Sequence, residues 1–570
     1  MLNVTILDGY VDEPTCLGVP PYISPYPRYV AGAIWFNEKN AKINYITIDQ
    51  IRNDNTSLKF INKSDLVVVI AGMIVPGKYL AGYPASPNEL ISYLYDIKKP
   101  IKVLGGPAAR YGFGISGGKK IIDSQVVKDT FDLIITGDVE VVVSKLLENN
   151  LSYENTDRSL FQEKSDRIKN FAILGSNIVK QHPNFPDYLI TEIETYRGCP
   201  RSIVGGCSFC SESLKGLPSY RKIEDVVNEV QSLYSLGIRH VRVGNQPCIF
   251  SYMAKKIGKK EFPVPNPDEL DKLFTGIRKV APDLKTLHID NANPGVIAHY
   301  PEECKEIAKI IVKNHTSGDV AAFGLESADP EVIRQNNLKA SQEDVIFAIK
   351  LLNDVGSARG NNGLPELLPG LNFVFGLKGE TKKTFKINLD FLKKIYDSNL
   401  LVRRINLRQV IPIPGTEMFK FGIKNIIKNK SEFQRFKRIF QMKIEQPMLK
   451  KIIPDGIILK GVLTEKYKGK ITFGRQLGSY PILVGIPGIY PLFSFFDVKV
   501  VGYGYRSITA VPYPLKINKT SLETLSTIPG IGKKRALRII RNRPFRNKEE
   551  IISSLDEPKI GKKLLEYINF

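Results

Sequence analysis

Cysteine and histidine are scarce in this 570-residue chain, at six and five. Six cysteines over that length argue against a disulfide framework and for a reducing interior. Long apolar runs are missing too. "LVVVIAGMIV" is too short to span a bilayer. "YPILVGIPGIYPLFSFFDV" is broken by three prolines and two glycines before Asp497 closes it. The opening "MLNVTILDGY" lacks the basic and apolar stretches of a secretory signal. A cytoplasmic protein without a membrane span is expected.

Acidic residues are the third shortage, 58 against 81 Lys and Arg, which leaves a net charge of +23. An excess of that size favours a polyanionic partner, nucleic acid before a membrane surface. A generally basic proteome would give the same total, but not the same clustering. Ten basic and two acidic residues lie between Lys420 and Lys451, and thirteen basic against six acidic between Lys516 and Phe570. The charge is concentrated late in the chain, as a binding region requires.

What is present reads as several domains, since one core cannot serve 570 residues. Over residues 1–165, strand-like "VTILDG", "INYITID", "LVVVIAG", "IKVLGGP" and "FDLIITGD" alternate with helical patterns, the sign of a doubly wound parallel sheet. Over 186–420 a second alternation runs through "DYLITEIETYRG", "IRHVRVGN", "LKTLHIDN", "DVAAFGLES", "LNFVFGL" and "VRRINLRQVIPI". Six such strands predict a whole or partial (β/α) barrel, with its site at the strand carboxyl ends. A basic helical connector (421–451), a small β-barrel (452–515) and an all-α tail (516–570) complete the expected α/β multidomain fold.

Three of the six cysteines sit in "ETYRGCPRSIVGGCSFCSE", directly after the first barrel strand. Cys199, Cys207 and Cys210 can ligate a [4Fe–4S] cluster with one iron left open. With a distant fourth ligand such as His240 they can bind zinc, and they can also remain free thiols. The loop resembles the cluster motif of the radical S-adenosylmethionine (SAM) superfamily, although seven residues separate the first two cysteines where that family usually has three. Gly205 and Gly206 can turn the longer segment.

The likeness continues in order along the chain. It implies that Phe209 lies against the adenine of SAM, and that Gly244 and Asn245 in "VRVGNQP" face its amino group. "FGLESADPEVI" resembles the fourth-strand segment of the methylthiotransferase-like and cobalamin-associated branches, which implies ribose or carboxylate contacts from Glu326 and Ser327. "FVFGLKGET" resembles their fifth-strand turn, through Gly376, Gly379, Glu380 and Thr381. "PIPGTEM" resembles the sixth-strand exit. The implied chemistry is chelation of SAM at the open iron, one-electron cleavage of the sulfonium, and hydrogen abstraction by a 5′-deoxyadenosyl radical. The electron would come from a donor such as ferredoxin or flavodoxin.

The first domain resembles the cobalamin-binding-like domains that precede many such barrels. It holds no histidine and no Asp-x-His-x-x-Gly to supply a lower axial ligand. Cobalamin therefore either binds without that ligand or has been lost, leaving a scaffold. Methylthiotransferases carry three further cysteines in this domain, whereas here there is only Cys16. Cys248 and Cys304 read as small buried residues. Sulfur insertion by an auxiliary cluster is thus disfavoured, and methyl transfer or another radical modification stays open.

In the tail, "TIPGIGKKRA" resembles a helix–hairpin–helix motif. Gly530 and Gly532 would expose backbone N–H groups to phosphate, and Lys533, Lys534 and Arg535 would add charge. A second copy is expected around Gly561, Lys562 and Lys563. The small barrel resembles the RNA-binding domain of tRNA methylthiotransferases, with Lys468, Lys470 and Arg475 as candidate phosphate contacts. A protein-interaction module, or a solvated basic face, would show the same residues. The sequence thus points to a radical SAM enzyme acting on nucleic acid, RNA before DNA. Its alternatives are a radical SAM DNA-repair or DNA-modifying enzyme, and a nucleic-acid-binding protein with a structural cluster.

Overall fold

Strand β1 (Asn3–Asp8) is buried at every position but its first, which forces it to the centre of a sheet. The computed structural model, which describes residues 1–12, 22–72, 82–114, 116–161 and 167–568, places it between β2 (Lys42–Thr47) and β3 (Leu66–Ile70). With β4 (Ile101–Gly105) and β5 (Leu133–Ile134) the order is β2-β1-β3-β4-β5, all parallel. The order reverses at β1 and β3, so ligand space is expected at their carboxyl ends. Cys16 lies outside the described residues.

The two faces of this sheet meet different cores. Leu7, Val67, Val69 and Leu104 pack under Leu90 and Leu94 of an outer helix. Val4, Ile6, Val68 and Val103 belong to a hydrophobic cluster that continues into the next unit through helices Pro25–Asn37 and Val139–Glu148. A two-residue strand, Tyr22–Ile23, pairs with Ile190–Thr191 and ties the first unit to the second.

The second unit is the partial barrel. β6 (Ile190–Glu194), β7 (His240–Gly244) and β8 (Thr286–Ile289) run parallel. The path bends at Asp290 into β9 (Asn291–Ala292), then continues through β10 (Asp319–Glu326), β11 (Leu367–Phe375) and β12 (Arg404–Gln409). The Ala322 N–H donates to Asp290 O at 2.8 Å and bridges the bend. Amphipathic helices cover the outside, as at Val226, Val230 and Leu233.

The basic connector is helical because its apolar residues recur at helical spacing. Phe433, Phe436 and Phe440 are buried. Phe433 and Phe436 pack at a tilt against Phe375, with ring centres 5.0 and 5.2 Å away. The lysines and arginines between them are left facing outward.

The chain then closes a five-stranded barrel. It comprises β13 (Ile458–Lys468), β14 (Ile471–Gln476), β15 (Leu483–Pro487), β16 (Phe495–Tyr503) and β17 (Ser507–Pro512). Their order is β13-β14-β15-β17-β16, with β15 and β17 the parallel pair. The loop after β14 enters the amino end of the larger barrel, where Ser479 N–H donates to His288 Nδ1 at 3.1 Å. Four short helices, Leu522–Thr527, Gly532–Arg541, Lys548–Ser553 and Pro558–Leu565, bury Leu525, Ile539, Ile551 and Leu564 in a separate small core. Among the described residues no helix is long and apolar enough to cross a membrane.

Two expectations for the basic surface need correction. Arg475 is wholly buried, at 0% exposure, and pairs with Glu465 of β13 at 2.8 Å. Alternation sets it on the face of Ile471 and Phe473, opposite Thr472 and Gly474, and it is covered there rather than left to solvent. Gly561 is not in a hairpin turn. It lies inside the last helix, where a Cβ would press on Ile552 at 2.8 Å, so its role there is close helix packing.

Candidate cofactor site

The seven residues between Cys199 and Cys207 wind into a 3₁₀ helix, Pro200–Val204, with Cys199 as its N-cap. Gly205 and Gly206 then take left-handed conformations, φ 79° and 68°, which return the chain to Cys207. Cys210 N–H donates to Cys207 O at 3.0 Å, closing a tight turn. The longer loop is thus absorbed as one extra coil.

All three thiols line one small recess, together with Arg201, Cys248, Asn293 and Lys339. Burial pushes the Cys210 thiol up to about 12, and the neighbouring Cys207 and Cys199 add to the rise. Burial also raises Cys199. Arg201 donates to Cys207 Sγ at 2.9 Å and is held by Glu261 at 2.8 Å and Asn337 O at 2.9 Å. Among the described residues no three of His, Cys, Asp or Glu are grouped tightly enough to grip a single ion. His240 sits at the amino end of β7, bonded to Thr286 Oγ1 at 2.8 Å, with the whole strand between it and the carboxyl end that faces the cysteine loop. It is therefore placed away from any zinc site at these thiols.

The other residues singled out by sequence arrive from several strand ends. Phe209 packs beside Leu338, Val410 and Met418 in a small apolar cluster. Gly376 (φ 91°) borders the same cluster, since a Cβ there would strike Ile426. Its N–H donates to Glu380 at 2.7 Å, and Asn429 donates to the other oxygen of Glu380 at 3.0 Å, so the β11 turn is braced. Gly379 is also left-handed, at φ 82°, and Thr381 caps the helix Lys382–Asp397.

Gly244 ends β7, and Asn245 follows in a left-handed conformation (φ 59°) with its amide donating to Glu194 at 2.9 Å. Glu326 ends β10 at φ 68°, a strained conformation for a glutamate. Burial raises its carboxyl, with Lys339 and Arg408 pulling it back. Ser327 is buried, and its hydroxyl accepts from the Asp329 N–H at 3.1 Å, an engagement within its own turn.

Lys339 was not singled out by any motif. Burial opposes its charge, but Cys207, Glu326 and Cys210 outweigh that and its pKa is raised. A Cβ at Gly324 would collide with both Glu326 Oε1 and Lys339 Nζ, so the two charges meet over a glycine. Only the lone lysine in the polar turn "NNLKAS" hints at this in sequence.

In the tail, Gly530 and Gly532 have φ 89° and 55° and, like Lys533, Lys534, Lys562 and Lys563, are exposed. Arg535 is bound to Asp556 and Glu557, both at 2.6 Å, so it clamps the two hairpins together. Lys468 is exposed, and so is Lys470, which pairs with Glu523 at 2.7 Å.

Residues 193–392 match the model of the radical SAM superfamily. An uncharacterized protein of Methanocaldococcus jannaschii is 49% identical over 88% of this chain and 92% of its own length. The ribosomal protein uS12 methylthiotransferase RimO of Clostridioides difficile is 22% identical over 43% of this chain and 50% of its own. The tRNA-2-methylthio-N(6)-dimethylallyladenosine synthase of Thermosipho melanesiensis is 21% identical over 65% and 73%.

Proposed function

The chain belongs to the radical SAM superfamily, and on that footing we propose that it modifies a nucleic acid, RNA before DNA, by methyl transfer or another radical reaction in the cytoplasm. The observation that carries this reading is the convergence of Cys199, Cys207 and Cys210 on one recess with Lys339. The donor set suits a [4Fe–4S] cluster, because three thiols alone leave one iron for an exchangeable ligand. A cluster and SAM bound there would supply one-electron cleavage of the sulfonium and a radical able to take hydrogen.

The protein's own residues have separate tasks. Cys199, Cys207 and Cys210 hold the cluster, and Arg201 hydrogen-bonds a ligand sulfur. Lys339 offers its ammonium to the carboxylate of SAM, while Gly244 and Asn245 frame the amino group. Glu326 accepts ribose hydroxyls, with Ser327 fixing the turn behind it. Phe209 and the wall around Gly376 cover adenine and exclude water. A ferredoxin or flavodoxin supplies the electron. The first domain serves as a scaffold, in keeping with its lack of histidine over residues 1–165.

The names of the distant relatives span a ribosomal protein and a tRNA, so they do not choose the substrate. The C-terminal hairpin supports a nucleic acid: exposed backbone at Gly530 and Gly532 beside Lys533 and Lys534 suits a phosphodiester, as do Lys562, Lys563 and Lys470. Anaerobic purification should give iron and sulfide rather than zinc, and dithionite reduction should cleave SAM. Alanine at Cys199, Cys207 or Cys210 should abolish both, while Cys248→Ala should keep the iron. Mass spectrometry of tRNA and rRNA from a deletion strain should show a lost modified nucleoside. An unchanged RNA profile would remove RNA as the substrate and turn the search to DNA.

A further inference from the structure

Strand β12 reads Arg404-Ile405-Asn406-Leu407-Arg408-Gln409, and its alternation puts Arg404, Asn406 and Arg408 on one face. That face is the barrel interior, because Ile405 between them lies in the outer core. Arg404 Nε donates to Asn406 Oδ1 at 2.7 Å, and Asn406 Nδ2 donates to Asn372 Oδ1 at 2.9 Å. A guanidinium only donates. Asn406 must therefore turn its oxygen to Arg404 and its nitrogen to Asn372. Asn372 then accepts with its oxygen and presents its NH₂ to the lumen. The chain of bonds ends in donors.

Arg408 lies one step higher. Among the described residues it has no ion pair, and its buried Nε has no partner. Two nearby carboxylates are already engaged. Asp290 holds Arg242 at 2.5 Å and accepts from Tyr480 at 2.6 Å, and Glu445 holds Arg506 at 2.5 Å, while the charges of Lys339 and Arg408 both act on Glu326. Tyr480 closes the floor, with Arg404 5.2 Å from its ring centre. Burial, with Arg506 alongside, lowers the Arg404 guanidinium to about 10. Positive charge is in excess here, with Arg242, Arg404, Arg408, Arg506 and Lys339 set against Asp290, Glu326 and Glu445.

We propose that Arg408, Arg404 and Asn372 form an oxyanion subsite on the β12 side of the barrel lumen, which holds a phosphate or carboxylate of the substrate above Tyr480. This rests on reading the barrel as the reaction chamber and does not depend on which polymer is modified. A bidentate guanidinium contact fixes the orientation of such a group as well as its charge, so the subsite would set which substrate atom faces the recess.

The test is a titration of the full-length holoenzyme with inorganic phosphate and, separately, with succinate, at fixed ionic strength and read by the thermal unfolding midpoint. A saturable rise is expected, with the half-saturating concentration at least tenfold higher in both R408Q and N372L. Tighter phosphate would mark a phosphorylated substrate and tighter succinate a carboxylated one. No saturable rise, or equal half-saturation in wild type and both variants, overturns the proposal. Circular dichroism checks that each variant is folded, and R408K stands in should R408Q not fold. No nucleic acid is present, so a failure here is separate from a failure of the nucleoside profile.

Discussion

Tyr480, from the loop after β14, donates its hydroxyl to Asp290 Oδ1 at 2.6 Å inside a barrel whose own strands end at Gln409. The small C-terminal barrel therefore supplies part of the larger barrel's interior. Arg403 binds the carbonyl of Tyr480 at 3.0 Å, and Thr286 donates to that of Leu477 at 3.3 Å, fixing the loop on both sides. Tyr480→Phe removes a buried bond to a carboxylate and should cost about 1.5–3 kcal/mol. Urea unfolding of the full chain measures this. A midpoint equal to wild type would mean that the contact does not hold the two barrels together.

The meeting of Glu326 and Lys339 over Gly324 gives a second prediction. Gly324→Ala should push the two side chains apart and weaken SAM binding by about tenfold, or about 1.4 kcal/mol. Lys339→Met should weaken it in the same direction, with the iron content kept. Equilibrium dialysis of the reduced holoprotein decides it.

His182 is buried beside Tyr45, and its Nδ1 accepts the Asn184 N–H at 3.1 Å, which requires the unprotonated ring nitrogen. Burial lowers its pKa to about 3 from an ordinary 6.5. The folded state thus binds the proton more weakly than the unfolded state. The associated stability is complete above pH 6.5 and drains away as pH falls from there toward 3. About 2 kcal/mol should be lost by pH 5. His182→Gln should flatten that part of the stability curve, and parallel curves for variant and wild type would refute the assignment.

On the C-terminal surface, Lys533→Glu with Lys534→Glu should weaken RNA binding and reduce the salt dependence of its logarithm by about 1–2. Arg475→Gln should do neither. Instead it should cost about 3–5 kcal/mol of stability by leaving Glu465 buried without its cation. Filter binding across a salt series and thermal unfolding separate the two outcomes.

The parts legible in the sequence were those set by local spacing. Six strand patterns match β6 to β12, with "LKTLHIDN" split at Asp290 into β8 and β9, because alternation and glycine turns act within a few residues. Cys199, Cys207 and Cys210 fall in one loop, so their convergence needed no long-range contact. The connector was readable as a helix from Phe433, Phe436 and Phe440. Arg475 misled because a basic residue on the outer face of a strand gives no sign that the face will be covered. Gly561 misled because Ile-Gly-Lys-Lys repeats as letters while its two copies stand at different positions on their helices.

The sequence alone determined the repertoire: a thiol loop behind a strand, parallel strands with covering helices, and a positive tail. Tertiary structure decided the encounters, setting Lys339 against the thiols, Tyr480 under Asp290, and Arg408 near Glu326. Periodicity specifies that a face will be covered, but the covering element comes from far along the chain. For Tyr480 and Asp290 the separation is 190 residues, and only packing brings them into contact.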